Sequence, residues 1–120
     1  TTDQKYRESK ARDYLLVVRE FHRLLVPGGR LYITVPYGKH QSLGWLQQFD
    51  EPMLNEMINT FGGEVIDLSF YQYTTSGWQI AKKESCRDCE YFNIHIARKY
   101  DQDFAAAARA VACVELQNLS

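Results

Sequence analysis

Cys86 and Cys89 form a C-x-x-C pair, the spacing in this chain that most suggests thiol or metal chemistry. With His95 and Cys113 downstream, four side chains of the types that bind zinc are present. One C-x-x-C pair is weak evidence for zinc, because structural sites usually contain two such pairs. A helix here would place the two thiols on one face, where they could simply pack. These four residues are weak metal candidates, and no metal site is predicted.

The loop from Tyr37 to Asp50 contains the other side chains suited to chemistry, among them His40, which could act as a general base because histidine titrates near neutral pH. A solvated loop histidine is the competing interpretation. The remaining candidates are basic or aromatic side chains that could bind a small substrate or pack within the loop: Tyr37, Lys39, Trp45 and Phe49. The pattern leaves both alternatives open.

The elements before this loop indicate an α/β protein. Apolar residues recur at helical spacing from Arg7 to Leu25, and they include a second stripe, Val17, Phe21 and Leu24, that suggests packing against a sheet. Pro27-Gly28-Gly29 ends this helix. Arg30–Pro36 is short and nearly all apolar, so we expect a strand covered on both faces in a parallel sheet.

A second helix and strand follow the loop. Asp50 is expected to cap a helix that extends to Phe61 with Pro52 in its first turn, and Glu64–Tyr73 alternates like a strand. The rest of the chain is more ambiguous. We expect four further elements there: a helix in Ser76–Arg87, a strand in Tyr91–Ala97, a helix-prone stretch in Phe104–Ala108, and a strand in Val111–Leu116 that an extended helix could replace.

Composition excludes several classes of protein. The chain has 120 residues, 45% of them hydrophobic and 24% charged, which fits one soluble globular domain. A net charge of -1 disfavours nucleic-acid binding, and no apolar run approaches the ~18 residues that span a bilayer. Three cysteines and no signal-like start predict a cytoplasmic protein. Because the chain begins at Thr1 with helical patterning close behind, we expect that it is part of a longer protein.

The segment Glu20–Gly38, EFHRLLVPGGRLYITVPYG, resembles class I S-adenosylmethionine-dependent methyltransferases, in which a helix and a Pro-Gly-Gly turn lead into the fifth strand. An ordinary helix-to-strand turn in another α/β protein is the alternative. The resemblance covers nearly the whole chain as the C-terminal half of a partial Rossmann-like fold. It implies a single domain over residues 1–120 with a mixed sheet of about three strands and flanking helices. Its last strand, Val111–Leu116, would be antiparallel and inserted between the other two.

The cofactor motif of that family is missing from this sequence. The family binds S-adenosylmethionine through a glycine-rich turn after its first strand, whereas no G-x-G occurs among the seven glycines here. The resemblance therefore implies that the full-length protein uses S-adenosylmethionine, and that this chain alone binds no cofactor and is inactive. It also implies that the residues after Pro36 meet a small methyl acceptor, such as a sugar or another metabolite, with His40 as the candidate base.

A non-catalytic binding or oligomerisation module derived from the same fold is the competing hypothesis. In the family the strand corresponding to Arg30–Pro36 is paired on both sides, so a half-fold leaves one side without a partner. We therefore expect self-association through this edge or through uncovered faces of the sheet, most simply as a two-fold dimer.

Overall fold

A computed structural model of the chain describes residues 12–42, 47–90 and 108–119. The expected strand in Tyr91–Ala97, the stretch 104–107 and the first residues of the expected helix therefore lie outside the described residues. Within the described ranges the elements follow in this order: α1 Asp13–Leu24, β1 Arg30–Pro36, β2 Gln41–Ser42, β3 Gln47–Gln48, α2 Glu51–Phe61, β4 Glu64–Thr74, β5 Gly77–Ala81, α3 Lys83–Cys86 and β6 Ala110–Gln117.

The main sheet has the strand order β1-β6-β4-β5, with β6 between β1 and β4. Strand β6 is antiparallel to both neighbours: Ile33 and Leu68 are each in register with Val114. The expected position and direction of the strand at Val111–Leu116 are therefore confirmed. The sheet has four strands rather than about three, because the chain after β4 turns at residues 75–76 and pairs back as β5. All described pairings in it are antiparallel, so the expected mixed sheet, with Arg30–Pro36 in a parallel arrangement, is wrong: β6 separates β1 from β4. β2 and β3 form a separate two-stranded ribbon.

All three described helices pack on one face of the main sheet. Alternate residues of β6 point into this core: Ala110, Ala112, Val114 and Leu116 are buried. The core side chains of the other elements are Val18, Val35, Tyr37, Phe49, Leu54, Met57, Phe61, Phe70 and Cys86. No described helix packs on the opposite face, which we call the open face.

Two corrections concern the strands. β1 is not covered on both faces, because Tyr32 lies on the open face and is 69% exposed while Val35 is buried. A continuous apolar run does not show which side of a strand will be covered. The helix expected in Ser76–Arg87 is also wrong for most of its length. Trp78 and Ile80 alternate on one face of β5, and only Lys83–Cys86 is helical.

Asn118 joins the end of α1 to the end of β6. Its side-chain Nδ2 donates to the carbonyl of Leu25 at 2.9 Å and to that of His22 at 3.4 Å. Its backbone carbonyl accepts from Gly28 N–H at 2.6 Å, and its N–H donates to Gly29 at 2.9 Å. Gly28 has φ 84°, a conformation that glycine adopts readily, so the Pro-Gly-Gly turn delivers the chain into β1 as expected.

The ends of α2 match the sequence prediction. The Asp50 carboxylate accepts a hydrogen bond from Met53 N–H at 3.0 Å, Pro52 lies in the first turn, and Gly62 ends the helix with φ 78°. The buried side chains of α2 are Leu54, Met57 and Phe61, so the helix is held by its apolar face as well as by its cap.

Part of α1 is exposed where the sequence predicts burial. Leu15 and Val18 are buried, but the second stripe, Val17, Phe21 and Leu24, is exposed. Arg12 pairs with Glu56 of α2 from the opposite flank of α1, so the stripe faces away from α2. None of the described helices is both long enough and apolar enough to cross a membrane.

Candidate functional site

A cleft of about 690 Å³ opens at the carboxyl end of β1, where the sequence analysis expects a substrate. Three short segments line it: the residues directly after β1, the first turn of α2 and the turn after α3. The lining residues are Tyr37, Gly38, Lys39, His40, Asp50, Glu51, Pro52, Asn55, Arg87 and Asp88.

Hydrogen bonds fix the relative positions of two of these segments. The Cys89 carbonyl accepts from Lys39 N–H at 3.0 Å and from Gln48 Nε2 at 3.0 Å. Gln48, which is fully buried, also donates to the Lys39 carbonyl at 2.9 Å. A Cβ on Gly38 would lie 2.2 Å from the Cys89 oxygen, so only glycine allows this approach. The turn after α3 is therefore closely docked against the β1 end.

Tyr37 forms the floor of the cleft rather than a wall. It is 1% exposed and contacts the Phe70 ring edge to face at 4.8 Å between centroids. Burial, and next the negative charge of Glu51, raises the pKa of Tyr37 to about 12. The phenol therefore keeps its proton at neutral pH and does not serve as a base.

The other predicted loop residues separate into two groups. Lys39 and His40 are exposed and line the cleft, and Lys39 Nζ lies 3.2 Å from Glu90 Oε1. Phe49 is buried against Tyr14, 4.9 Å between ring centroids, and does not line the cleft. Trp45 lies outside the described residues. The structure therefore keeps Tyr37, Lys39 and His40 together and assigns Phe49 to the core.

Charged residues that the sequence analysis missed form the rest of the wall. Arg87 lies there, and within the described ranges no carboxylate comes within ion-pair distance of its guanidinium. Asp50 and Glu51 face the same space, with Glu51 Oε2 3.2 Å from Lys83 Nζ. Arg87 and Asp88 are the two residues between Cys86 and Cys89, a motif that the sequence analysis considered only for its thiols. The predicted helix cap at Asp50 indicated where α2 begins, but it did not indicate that Asp50 and Glu51 line a cleft.

Among the described candidate zinc ligands, Cys113 lies apart from Cys86 and Cys89. Cys86 is buried in the core and Cys89 Sγ accepts from Gln72 Nε2 at 3.7 Å, whereas Cys113 is on the open face beside Thr34. His95 lies outside the described residues. Burial raises the pKa of all three thiols, which are free. Among the described positions, no group of three potential ligands could hold a metal ion.

The described cleft has no glycine-rich turn of the kind through which the family that the sequence resembles binds its cofactor. Gly38, its only glycine, is sealed by the Cys89 carbonyl instead of presenting open backbone to a ligand. Comparisons with protein-family models, with curated proteins and with solved structures found no match to this chain.

Proposed function

We propose that this chain is the C-terminal part of an S-adenosylmethionine-dependent methyltransferase and that it supplies the side of the active site that holds the methyl acceptor. The observation that supports this most is the topology. A helix and a Pro-Gly-Gly turn lead into β1, and β6, the last described strand, is inserted antiparallel between β1 and β4. This is the arrangement that the resemblance implies for strands five, seven and six.

An unpaired edge supports the idea that more of the sheet lies beyond β1. Tyr37 N–H donates to Ala110 of β6, whereas the Pro36 carbonyl accepts from Phe49 N–H on the other side. Successive residues of a strand direct their backbone N–H and C=O groups to opposite sides. Tyr37 therefore faces β6, whereas Pro36, Thr34 and Tyr32 direct these groups away from it. We call the outward-pointing backbone groups of Arg30, Tyr32 and Thr34 the β1 edge. Within the described ranges no strand pairs with it.

The exposed stripe on α1 lies on the same side of the molecule. α2 connects β1 to β4 and thus spans β6, while α1 contacts Phe49, which pairs with the outer side of β1. Since the stripe Val17, Phe21 and Leu24 faces away from α2, it borders the β1 edge. A further strand and helix could pair with the edge and cover the stripe together, as another α/β unit of the same sheet would.

The cleft supports a small polar acceptor, such as a sugar or another metabolite. The exposed His40 imidazole can accept a proton from an oxygen or nitrogen of the acceptor. Arg87 can bind a hydroxyl, carboxylate or phosphate, and the Tyr37 phenol lies at the floor. Because the cleft holds no cofactor cradle, the cofactor half of the site would come from sequence upstream of Thr1. We place the protein in the cytoplasm, where three free thiols remain reduced.

Two measurements test this proposal: calorimetry of S-adenosylmethionine binding, and the sequence encoded upstream of Thr1. The 120-residue chain should not bind S-adenosylmethionine, whereas the protein translated with its upstream sequence should bind it and transfer methyl groups. In that longer protein His40→Ala should lower kcat at least ~100-fold, and Arg87→Ala should mainly raise KM. Micromolar cofactor binding by the 120 residues, or an upstream frame without a strand followed by a glycine-rich turn, would overturn the proposal.

A non-catalytic assembly module is the second candidate, and the β1 edge is the observation that favours it. Here another copy would pair with the edge and extend the sheet. Thr34→Pro removes an N–H that points away from β6, so it should abolish such pairing without affecting the β1–β6 ladder. Retention of self-association in Thr34→Pro would argue against edge pairing.

A further inference from the structure

Two of the charged residues that line the cleft are already neutralised by ion pairs. Lys39 Nζ lies 3.2 Å from Glu90 Oε1, and Lys83 Nζ lies 3.2 Å from Glu51 Oε2. A charged ligand would have to compete with these partners for Lys39 or Glu51. The selectivity of the cleft must therefore come mainly from its other polar groups.

Arg87 is the cation of the cleft that remains available to a ligand. Its side chain is exposed, and no hydrogen bond or ion pair joins it to another residue that the structure describes. A guanidinium binds a carboxylate through two parallel N–H···O bonds, which fix the orientation of the bound group. Arg87 can therefore bind a carboxylate without losing an existing contact.

The Tyr37 hydroxyl is a second donor in the same space. Tyr37 is 1% exposed, yet its hydroxyl forms no hydrogen bond with any described group. Its phenol lies among the cleft residues, because the charges of Glu51, Arg87 and Asp50 all act on its pKa. A buried hydroxyl without a partner is costly. Since the phenol keeps its proton at neutral pH, it can donate to a ligand oxygen that Arg87 also binds.

Two carboxylates of the cleft have no cationic partner. Asp88 is exposed in the turn after α3, and Asp50 at the start of α2 uses Oδ1 to accept from Met53 N–H. Over the described ranges, no lysine or arginine comes within ion-pair distance of either carboxylate. These two side chains can bind a cationic group, and they oppose a ligand that carries only negative charge.

One available cation and two available anions are complementary to a ligand that carries both signs of charge. A phosphate group, with nearly two negative charges, would be repelled by the two carboxylates more strongly than a carboxylate with one. A neutral sugar would gain no charge-assisted contact beyond hydrogen bonds to the cleft. A carboxylate on Arg87 together with an ammonium group on Asp88 uses the available charges of both signs.

We propose that the cleft binds a small zwitterion, with its carboxylate on Arg87 and the Tyr37 hydroxyl and its ammonium group on Asp88 and Asp50. If the zwitterion is the methyl acceptor, that role rests on the proposed function and narrows the acceptor from a small polar metabolite to an amino acid or a similar molecule. The binding itself requires no cofactor and is tested on this chain alone.

Nuclear magnetic resonance titration of the isotopically labelled 120-residue chain tests the ligand class. The probes are glycine, β-alanine and 4-aminobutyrate, each compared with the amine and the carboxylic acid of the same chain length. We expect one zwitterion to shift the amide signals of Lys39, Arg87 and Asp88 with a Kd below about 10 mM, and to bind about fivefold more tightly than its matched amine or acid. An acid or amine that binds as tightly as its zwitterion, or the absence of shifts at the cleft with every probe at about 50 mM, would overturn the proposal.

Substitutions assign the two charged groups of the ligand. Arg87→Gln should reduce the affinity for the zwitterion to that for the matched amine, whereas Asp88→Asn should reduce it about threefold without weakening the acid. Tyr37→Phe should cost about threefold for zwitterion and acid alike. Arg19→Gln and Glu84→Gln are the matched controls, because both residues are exposed on helices and outside the cleft. Equal effects of Arg87→Gln and Arg19→Gln in folded variants would contradict the assignment.

The ligand class and the methyltransferase proposal fail in different ways. Zwitterion binding by this chain, with an upstream sequence that lacks a cofactor motif, would refute the methyltransferase alone. Methyl transfer by the longer protein, with no zwitterion binding to this chain, would refute the ligand class alone.

Discussion

Replacing Asn118 by alanine should destabilise the protein by about 2–3 kcal/mol. The side chain is 3% exposed, and its Nδ2 donates to the Leu25 and His22 carbonyls at the end of α1. Its Oδ1 lies 2.7 Å from His22 Nε2. Each such bond contributes about 1 kcal/mol net, and the Leu25 and His22 carbonyls left behind are the groups that a helix end must satisfy.

Urea unfolding followed by circular dichroism measures this effect. We expect Asn118→Ala to lower the urea midpoint with an unchanged slope, and to lower Tm by about 10 °C for a domain of this length. Gln117→Ala is the matched control, because its Nε2 makes one exposed bond to the Gly28 carbonyl at 3.1 Å and should cost at most about 1 kcal/mol. Equal stability of the two variants would refute the view that Asn118 holds α1 to the sheet.

Three further expectations follow from the cleft and the core. Because the pKa of Tyr37 is raised to about 12, its contribution to stability is full below pH ~10 and falls by about 2 kcal/mol as the pH rises from there through the pKa. The alkaline loss of stability should therefore be smaller by about that amount in Tyr37→Phe than in the unsubstituted chain. Gly38→Ala should lower the free energy of unfolding by about 3 kcal/mol, because Gly38 has a positive φ and an added Cβ would clash with the Cys89 carbonyl. Gly77→Ala is the control, since Gly77 also has a positive φ but no atom close to an added Cβ; equal melting temperatures of the two variants would contradict the close approach of Gly38 to Cys89. Thiol-reagent kinetics in native buffer should find Cys86 the slowest thiol, since burial raises its pKa and blocks access; equal rates for all three cysteines would disprove this.

Local chemistry made much of the fold predictable from sequence. The Pro27-Gly28-Gly29 turn, the Asp50 cap and the strand at Glu64–Tyr73 were each predicted from a few adjacent residues, and the structure confirms all three. The expected alternation of burial is absent from the first half of that strand, where five successive residues are exposed. The position of β6 came from the family resemblance, because nothing in Val111–Leu116 itself says which strands will flank it.

Features that depend on tertiary packing were not predictable in the same way. Trp78 and Ile80 are spaced for either a strand or a short amphipathic helix, and pairing with β4 decides the outcome. In the cleft, His40 was found because it follows a strand. Arg87 was missed because it reaches the cleft only through the docking of the Cys89 turn on Gly38.

The central position of β6 has a consequence for synthesis of the protein. β1 pairs with β6, a strand about 80 residues further along the chain, and β4 is connected to β1 in the sheet only through β6. On the ribosome both strands are made well before the segment that joins them. β4 can pair early with β5, whereas within the described ranges β1 has no strand of the main sheet to pair with until β6 is made. We expect one late, cooperative closure of the sheet once β6 has been made, with a chaperone-dependent interval before it.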